Sequence, residues 1–166
     1  MADIAKSKLL TDNTGILKED ACVVLVKTEW NAALADELEA GALRILDQYK
    51  ANTRTIIVPG AIEIPFAINA CWSRSSKKNR PDAFIALGAV VRGDTPHFDY
   101  VCRIIADGIL RLNLQLPVPS IFGVLTVDNE EQAKERIGGK HGHKGEEAAM
   151  AALKMIAMNR SLRKKK

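Results

Sequence analysis

Apolar runs of strand length alternate along the chain with longer segments whose apolar residues recur every three or four positions. The short runs predict strands, and the longer segments predict amphipathic helices. Strands are expected at 22–26, 53–58, 83–91 and 120–127. Because strands that alternate with helices are joined by right-handed crossovers, the pattern predicts a four-stranded parallel sheet between two helical layers, a three-layer α/β/α sandwich.

Polar and proline residues mark where the helices begin. Asn31 can cap the first helix, Pro65 suits the first turn of the second, and the third begins at His97. Two more helices are expected after the fourth strand, at 128–137 and at 146–162. Every predicted strand is therefore followed by a helix.

Residues 1–20 have no place in this scheme of strands and helices. They form either a frayed arm or a strand that pairs with a neighbouring copy of the chain. The expected organisation is an N-terminal arm at 1–20, a single domain at 21–162 and a basic tail at 163–166.

Length and composition agree with one globular domain. The 166 residues are 47% hydrophobic and 27% charged, which is typical of a chain that buries its own core. The longest apolar run, 83–91, is too short to cross a bilayer, and the N-terminus lacks the apolar stretch of a secretory signal, so we expect a cytoplasmic protein. Three widely spaced cysteines, Cys22, Cys71 and Cys102, predict buried free thiols rather than disulfides or a metal site.

The formal net charge of +4 comes from 24 basic and 20 acidic residues, and the tail 163–166 contributes four of the positive charges. The rest of the chain is balanced in charge, and only 5% of the residues are aromatic. This composition lacks the basic and aromatic stripe of nucleic-acid binding proteins. Neither nucleic acid nor a membrane is therefore expected as a partner.

Ligands of parallel sheets bind at the carboxyl ends of the strands, which here are the segments 27–31, 59–63, 90–97 and the one that begins at Thr126. The glycine patterns of dinucleotide sites and P-loops are absent from the sequence. The candidate chemistry therefore depends on individual side chains in these loops.

Each of those side chains has two interpretations. His97 can exchange protons near neutral pH or can cap and pack at its helix start. Glu63 can accept hydrogen bonds from a polyol or can stabilise a helix start through the helix dipole. Trp30 can stack on a flat heterocycle or join the core, and Phe122, inside a strand, favours the core. Arg92 can bind an anion or pair with a nearby aspartate at 94 or 99.

The glycine-rich segment 138–145 also has alternatives. Glycine lets backbone N–H groups approach an anion, so Lys140 and Lys144 could hold a phosphate there. A flexible connection between two helices fits the same residues. His141 and His143 could chelate a metal, but two imidazoles without cysteine or carboxylate ligands nearby favour a solvated loop, and no metal is expected.

Four segments resemble motifs of the 6,7-dimethyl-8-ribityllumazine synthases, in the order and spacing of that family. They are VPGAIEIP at 58–65, ALGAVVRGDTPHFDYV at 86–101, FGVLT at 122–126 and GGKHGHKG at 138–145. The resemblance extends from Cys22 to about Leu162. Four long motifs in one order are far more specific than a single glycine loop.

The resemblance implies a flavodoxin-like fold and a transferase. The family condenses 5-amino-6-(D-ribitylamino)uracil with 3,4-dihydroxy-2-butanone 4-phosphate to 6,7-dimethyl-8-ribityllumazine, releasing phosphate and water, in the penultimate step of riboflavin biosynthesis. It uses neither a metal nor a redox cofactor, so no cofactor is expected. The alternative is a non-catalytic shell protein that binds riboflavin or lumazine; the presence of His97 and Arg136 favours the enzyme.

By resemblance, one part of the site binds the pyrimidine substrate. Trp30 would stack on the ring, Glu63 would bind the ribityl hydroxyls, and Lys144 would lie near the pyrimidine. Phe122 would close the site from a neighbouring subunit. Ile62 stands where many members carry an aromatic residue, and Trp30 stands where many carry phenylalanine. The other residues implied for this part are Ala61, Ala89, Val90 and Val91.

The other part of the site would bind the butanone phosphate. The resemblance implies a phosphate pocket at Asp94 and Thr95, built mainly from backbone N–H groups, with Arg136 as the ionic partner. His97 would be the base near neutral pKa that the proton transfers require.

The resemblance also implies self-association. Members of the family form homopentamers, and those with a short glycine–lysine turn before the last helix tend to close twelve pentamers into an icosahedral capsid. Segment 138–145 has the short form, so a cage of 60 subunits is expected. The arm 1–20 would pair with a neighbouring subunit in this assembly.

Overall fold

A computed structural model describes residues 20–163 of the chain. It contains four long strands: β1 (Cys22–Thr28), β2 (Asn52–Val58), β3 (Ala83–Val91) and β4 (Ser120–Val127). They form one parallel sheet in the order β2-β1-β3-β4, which confirms the predicted sheet. β1 extends two residues past its expected end because Lys27 and Thr28 continue the pairing with β2.

Helices cover both faces of this sheet. In the described part of the chain they are α1 (Ala32–Gln48), α2 (Ile64–Arg74), α3 (His97–Gln115), α4 (Glu130–Lys134) and α5 (Lys144–Arg163), and a single 3₁₀ turn at Ala61–Glu63 precedes α2. α1 and α5 pack on one face, whereas α2 and α3 pack on the other. The predicted three-layer α/β/α sandwich of flavodoxin-like type is therefore confirmed.

The sheet divides the core into two halves. Val23 and Leu25 of β1 face α1 and α5, whereas Val24 and Val26 face α2 and α3. β3 is buried on both faces from Ala83 to Ala89. A strand covered on both sides needs apolar residues throughout, which explains why the sequence of β3 does not alternate.

The segment after β4 departs from expectation. The helix predicted to reach Ile137 ends at Lys134. Its start is capped by Asn129, whose side-chain Oδ1 accepts a hydrogen bond of 2.9 Å from the backbone N–H of Gln132. Asn129 is thus a well-formed cap of a helix that is only five residues long.

Segment 138–145 forms most of an antiparallel hairpin and the start of α5, not a flexible connection. The hairpin pairs β5 (Ile137–Gly139) with β6 (Gly142–His143), and α5 begins at Lys144, two residues earlier than predicted. Gly138 has φ 117° and Gly142 has φ 73°. Side chains disfavour these left-handed conformations and glycine allows them, so the glycines turn the chain into a hairpin where a connection between two helices was expected.

The three cysteines are free, as predicted, but each is only partly buried. Cys22 is the first residue of β1, at the edge of the core. Cys71 and Cys102 lie beside the buried stripes of α2 and α3 rather than on them. The prediction of fully buried thiols was therefore wrong.

Two sequence predictions fall largely outside the described residues. The arm 1–20 is described only at Asp20, and the tail 163–166 only at Arg163. Within residues 20–163, no helix has the length and apolar character that crossing a membrane requires.

Candidate functional site

Three loops meet at the carboxyl edge of the sheet. They follow β1, β2 and β3, and the first two are joined by backbone hydrogen bonds. Glu29 N–H donates to the carbonyl of Val58 at 2.8 Å, and Trp30 N–H donates to the carbonyl of Pro59 at 3.1 Å. These bonds hold the loop after β1 against the end of β2.

Trp30 and Glu63 share the space in front of Gly60. A Cβ atom added to Gly60 would lie 3.0 Å from Oε2 of Glu63 and 3.6 Å from Cδ1 of Trp30. Trp30 is 74% exposed, so it is not a core residue. A flat apolar ring beside a carboxylate can stack on a heterocycle while the carboxylate accepts hydrogen bonds from hydroxyl groups.

Asn31 holds the Trp30 loop against the end of β3. Its side-chain Nδ2 donates a hydrogen bond of 2.8 Å to the carbonyl of Ala89. Its backbone has φ 55°, a left-handed conformation that asparagine tolerates better than most residues. Asn31 does precede α1, but its side chain does not cap the helix as predicted, because the amide bonds to β3 instead. The sequence showed this asparagine and gave no sign of its partner.

The end of β3 forms the wall next to this loop. β3 pairs with β1 only from Ala83 to Leu87, so Ala89, Val90 and Val91 extend past the paired part of β1 while remaining paired with β4. Ala89 is buried, and the two valines are half-buried. Their backbone lies beside the Trp30 loop, where a planar ligand could reach it.

The loop after β3 presents polar groups around the start of α3. Asp94, Thr95 and His97 are all exposed, and His97 is the first residue of the helix. Its backbone N–H lies 3.4 Å from Oγ1 of Thr95. The N–H groups of a first helical turn lack partners within the helix, so an anion can bind where they point.

Arg92 connects this loop to the end of β4. Its guanidinium donates to Asp128 at 3.0 Å and to Asp99 at 3.3 Å, and it lies 4.0 Å above the ring of Phe98. The hydrogen bond from Arg92 lowers the pKa of the Asp128 carboxyl. Of the interpretations considered for Arg92, the structure shows the ion pair: Asp99, one of the two aspartates considered, is a partner, and Asp128, which was not considered, is the nearer one.

Arg136, Lys144 and Phe122 belong to a second set of residues. Arg136 follows α4, and its Nη1 donates to the carbonyl of Gln132 at 2.7 Å. Lys144 is 2% exposed, with its ammonium 2.5 Å from Oε1 of Glu147. Phe122 lies opposite Ala86 in the amino-terminal half of β4, far from the carboxyl edge. α4, the hairpin and β4 place this set, whereas the three loops place the first.

The two other histidines of the chain, His141 and His143, lie in different surroundings. His141 Nε2 lies 3.6 Å from Oε2 of Glu135, and His143 is buried. Residues 20–163 contain no group of three or more histidine, cysteine, aspartate or glutamate side chains that could hold a metal ion.

Comparison with known proteins identifies the family. A sequence model described as 6,7-dimethyl-8-ribityllumazine synthase matches residues 20–160. The chain belongs to this family. A protein of that name from Cytophaga hutchinsonii is 46% identical over 136 residues, which cover 80% of this chain and 83% of the relative. A relative of the same name from Porphyromonas gingivalis is 43% identical over 145 residues, covering 86% of this chain and 88% of its own length.

Membership in the lumazine synthase family confirms the resemblance that the four motifs indicated. It also confirms the expectation of an enzyme, because these relatives carry the name of one. Sequence reasoning missed two residues that shape the site, Gly60 and the amide of Asn31. The sequence signal available for Gly60 was its position inside a family motif, directly before Ala61. The signal for Asn31 was its position directly after Trp30.

The left-handed backbone of Asn31 predicts an unusual order of stabilities. Asn31→Ala should have a free energy of unfolding about 1 kcal/mol below that of Asn31→Gly, because alanine is strained at positive φ and both variants lose the bond to Ala89. Urea unfolding at one protein concentration measures the difference. At Arg111, an exposed position inside α3, the order should reverse, since glycine is the poorer helix former. The same order at both positions would contradict the assignment.

Proposed function

We propose that the chain condenses 5-amino-6-(D-ribitylamino)uracil with 3,4-dihydroxy-2-butanone 4-phosphate to 6,7-dimethyl-8-ribityllumazine, releasing phosphate and water. The observation that carries the proposal is the family match over residues 20–160. The grouping of an exposed indole, a carboxylate and a helix start at one sheet edge supports it. None of these observations favours the shell protein without activity.

In this proposal the first two loops bind the pyrimidine. The ring stacks on Trp30, and Glu63 accepts hydrogen bonds from the ribityl hydroxyls, a pairing that the shared space at Gly60 supports. Backbone groups of Ala89, Val90 and Val91 face the edge of the ring. Ala61 and Ile62, in the 3₁₀ turn before α2, line the ribityl chain.

The butanone phosphate binds at the start of α3. Backbone N–H groups at Asp94 and Thr95 bind phosphate oxygens, and the dipole of α3 favours the negative charge. Arg136 is the ionic partner, because a planar guanidinium can bind two phosphate oxygens at once. Its hydrogen bond to Gln132 uses one of five N–H donors and orients the group.

His97 moves the protons. Imine formation, loss of phosphate and ring closure each need proton transfers, and both substrates already carry the reacting groups. A histidine at the first position of α3 lies beside the proposed phosphate pocket. Holding the two substrates in place provides the rest of the rate enhancement.

The placement of the second set supports a site shared between copies of the chain. Phe122 lines an apolar groove of about 570 Å³, together with Ile109 and Met155. The groove lies beside the edge of β4 that is unpaired in the described sheet. Phe66 and Leu114, on α2 and α3, are more than 70% exposed. Apolar surface of this kind is typical of protein–protein contacts. A neighbouring copy would therefore supply Phe122, with Lys144 near the pyrimidine.

We further propose that the chain forms a homopentamer and that twelve pentamers close into a capsid in the cytoplasm. The arm 1–20 would extend a neighbour's sheet, because β2 and β4 leave unpaired edges in the described sheet. The hairpin of β5 and β6 is short and carries no insertion, as expected for a capsid former.

Formation of fluorescent lumazine from the two substrates tests the reaction and His97 together. The wild-type chain should form product, and His97→Ala should lower kcat by about 10²-fold or less, because general acid–base catalysis typically contributes about 10²- to 10⁴-fold and the two substrates react slowly unaided. His141→Ala is the matched control and should keep the wild-type rate. Absence of product with the wild type would overturn the reaction, and a wild-type rate for His97→Ala across pH 6–8 would remove His97 from it.

Substitutions in the two parts of the site should raise the KM values of different substrates. Arg136→Ala should raise the KM for the butanone phosphate about tenfold or more, with little change for the pyrimidine, because a charge-assisted contact to phosphate is lost. Trp30→Ala should show the opposite preference. Steady-state kinetics with each substrate varied in turn measures both. If both variants weakened the same substrate, the proposed division of the site would fail.

Light scattering tests the assembly. Five copies of the 18.1 kDa chain give a particle of about 90 kDa, and the capsid of 60 copies gives about 1 MDa. We expect the larger particle at neutral pH. A particle of about 90 kDa would contradict the capsid alone, and an active species of about 18 kDa would contradict the shared site.

A further inference from the structure

His143 ends the hairpin and lies against α1. It is the last residue of β6, and its side chain is only 6% exposed. The ring occupies the space in front of Gly41 on α1, where an added Cβ would come closer than 3 Å to three of the ring atoms. No side chain larger than that of glycine therefore fits at position 41 while the ring stays in place.

The surroundings of this ring favour its neutral form. Neither ring nitrogen has a hydrogen-bond partner in another residue of the described range 20–163. Burial lowers the pKa of His143, and nearby Arg44 acts in the same direction, whereas Glu146, Glu37 and the backbone of His143 itself act against it. Arg44 and Glu146 are themselves paired at 3.0 Å, which partly offsets their charges.

The charged groups near the ring lie on two helices. Glu37 and Arg44 lie on α1, Glu146 lies on α5, and the opposing strand β5 contributes only Ile137 and two glycines. A protonated ring at this place would be a cation taken out of water, which is costly unless it is well paired. The contact between the ring and α1 therefore favours the neutral ring.

The hairpin links His143 to two residues of the proposed site. Arg136 directly precedes β5, and Lys144 directly follows β6. The backbone N–H of Lys144 donates to the carbonyl of Arg136 at 2.8 Å, which closes the base of the hairpin. A contact that holds the hairpin on α1 therefore also holds the backbone of Arg136 and Lys144 in place.

We propose that His143 is a positioning residue. Its neutral ring, packed on Gly41, holds the hairpin against α1 and so positions Arg136 to bind the phosphate of the substrate. Protonation of the ring then releases the hairpin and weakens binding of that substrate alone. This inference rests on the role proposed above for Arg136. It assigns a function to a residue that takes no part in the chemistry itself.

The direction of the pH effect follows from the neutral ring. The ordinary pKa of histidine is about 6.5, and the ring packed on α1 has a lower pKa. The contact between the ring and α1 is therefore fully stabilising above pH 6.5, and this stabilisation is progressively lost as the pH falls through the lowered pKa. The KM for the butanone phosphate should rise over the same range.

The decisive comparison is between the wild type and His143→Leu, which fills the space with an apolar side chain that cannot titrate. Both should have similar KM values for the butanone phosphate at pH 7.5. At pH 5.5 the wild-type KM should have risen several-fold more than that of the variant, with no such difference for the pyrimidine. Titration of the substrate phosphate is common to both proteins and cancels in the comparison. His141→Leu, in the same hairpin, should keep the wild-type profile.

Gly41→Ala tests the contact from the other side. It should raise the KM for the butanone phosphate about tenfold at pH 7.5, as expected if the contact of Arg136 with phosphate is lost. Gly41→Ala combined with His143→Ala should recover most of the loss, because the smaller side chain makes room. If Gly41→Ala fails to fold, the double variant and His143→Leu still decide the matter.

The outcomes separate this inference from the proposed function. If Arg136→Ala leaves the KM for the butanone phosphate unchanged, the role of Arg136 fails and the inference fails with it. If Arg136→Ala raises that KM while His143→Leu keeps the wild-type pH profile, the inference alone is overturned. The free energy of unfolding of the wild type could instead fall with pH while the KM values of both substrates change alike. His143 would then be a structural residue only, and the inference would also be overturned.

Discussion

The pairing of the central strand β3 with both of its neighbours is the constraint on which the rest of the structure depends. β3 is buried from Ala83 to Ala89, so its backbone groups must be satisfied by β1 and β4, which are thereby held in register. A Cβ at Gly88 would approach Oγ1 of Thr28 to 2.7 Å, so the glycine allows β1 to lie this close. The same Oγ1 donates to the carbonyl of Trp30. The side chain of Thr28 therefore links the packing of the central strand directly to the Trp30 loop of the candidate site.

The two helical layers contribute differently to the site. α1 and α5 approach each other through small residues: a Cβ at Gly145 would overlap the carbonyl of Leu38, and Gly41 makes room for the hairpin. This layer is closely packed. In the other layer, Phe66 on α2 and Leu114 on α3 are each more than 70% exposed. A layer with such a surface is suited to association, which agrees with a site completed by a second copy.

The fold could be predicted from the sequence wherever a helix or strand is long enough to show the periodicity of its apolar residues. β3 and β4 have the bounds that their apolar runs predict, and the helices on both faces follow from the spacing of their apolar residues. The hairpin was not predictable in this way. Its strands have three and two residues, too few to show an alternation, and its glycines suit a loop equally well. The packing of the hairpin on α1 depends on Gly41, which is far from the hairpin in the sequence.

The sequence by itself determined the family and the residue types that follow each strand, because motifs are local and the carboxyl ends of parallel strands meet at one edge. Only the tertiary structure decided what those residues contact. Trp30 is exposed beside Glu63, Asn31 bonds to Ala89 instead of capping its helix, and the ring of His143 is buried against α1. The exposure and the partner of a side chain depend on which distant backbone the fold brings next to it. That information is spread over the whole chain and is present in no single segment.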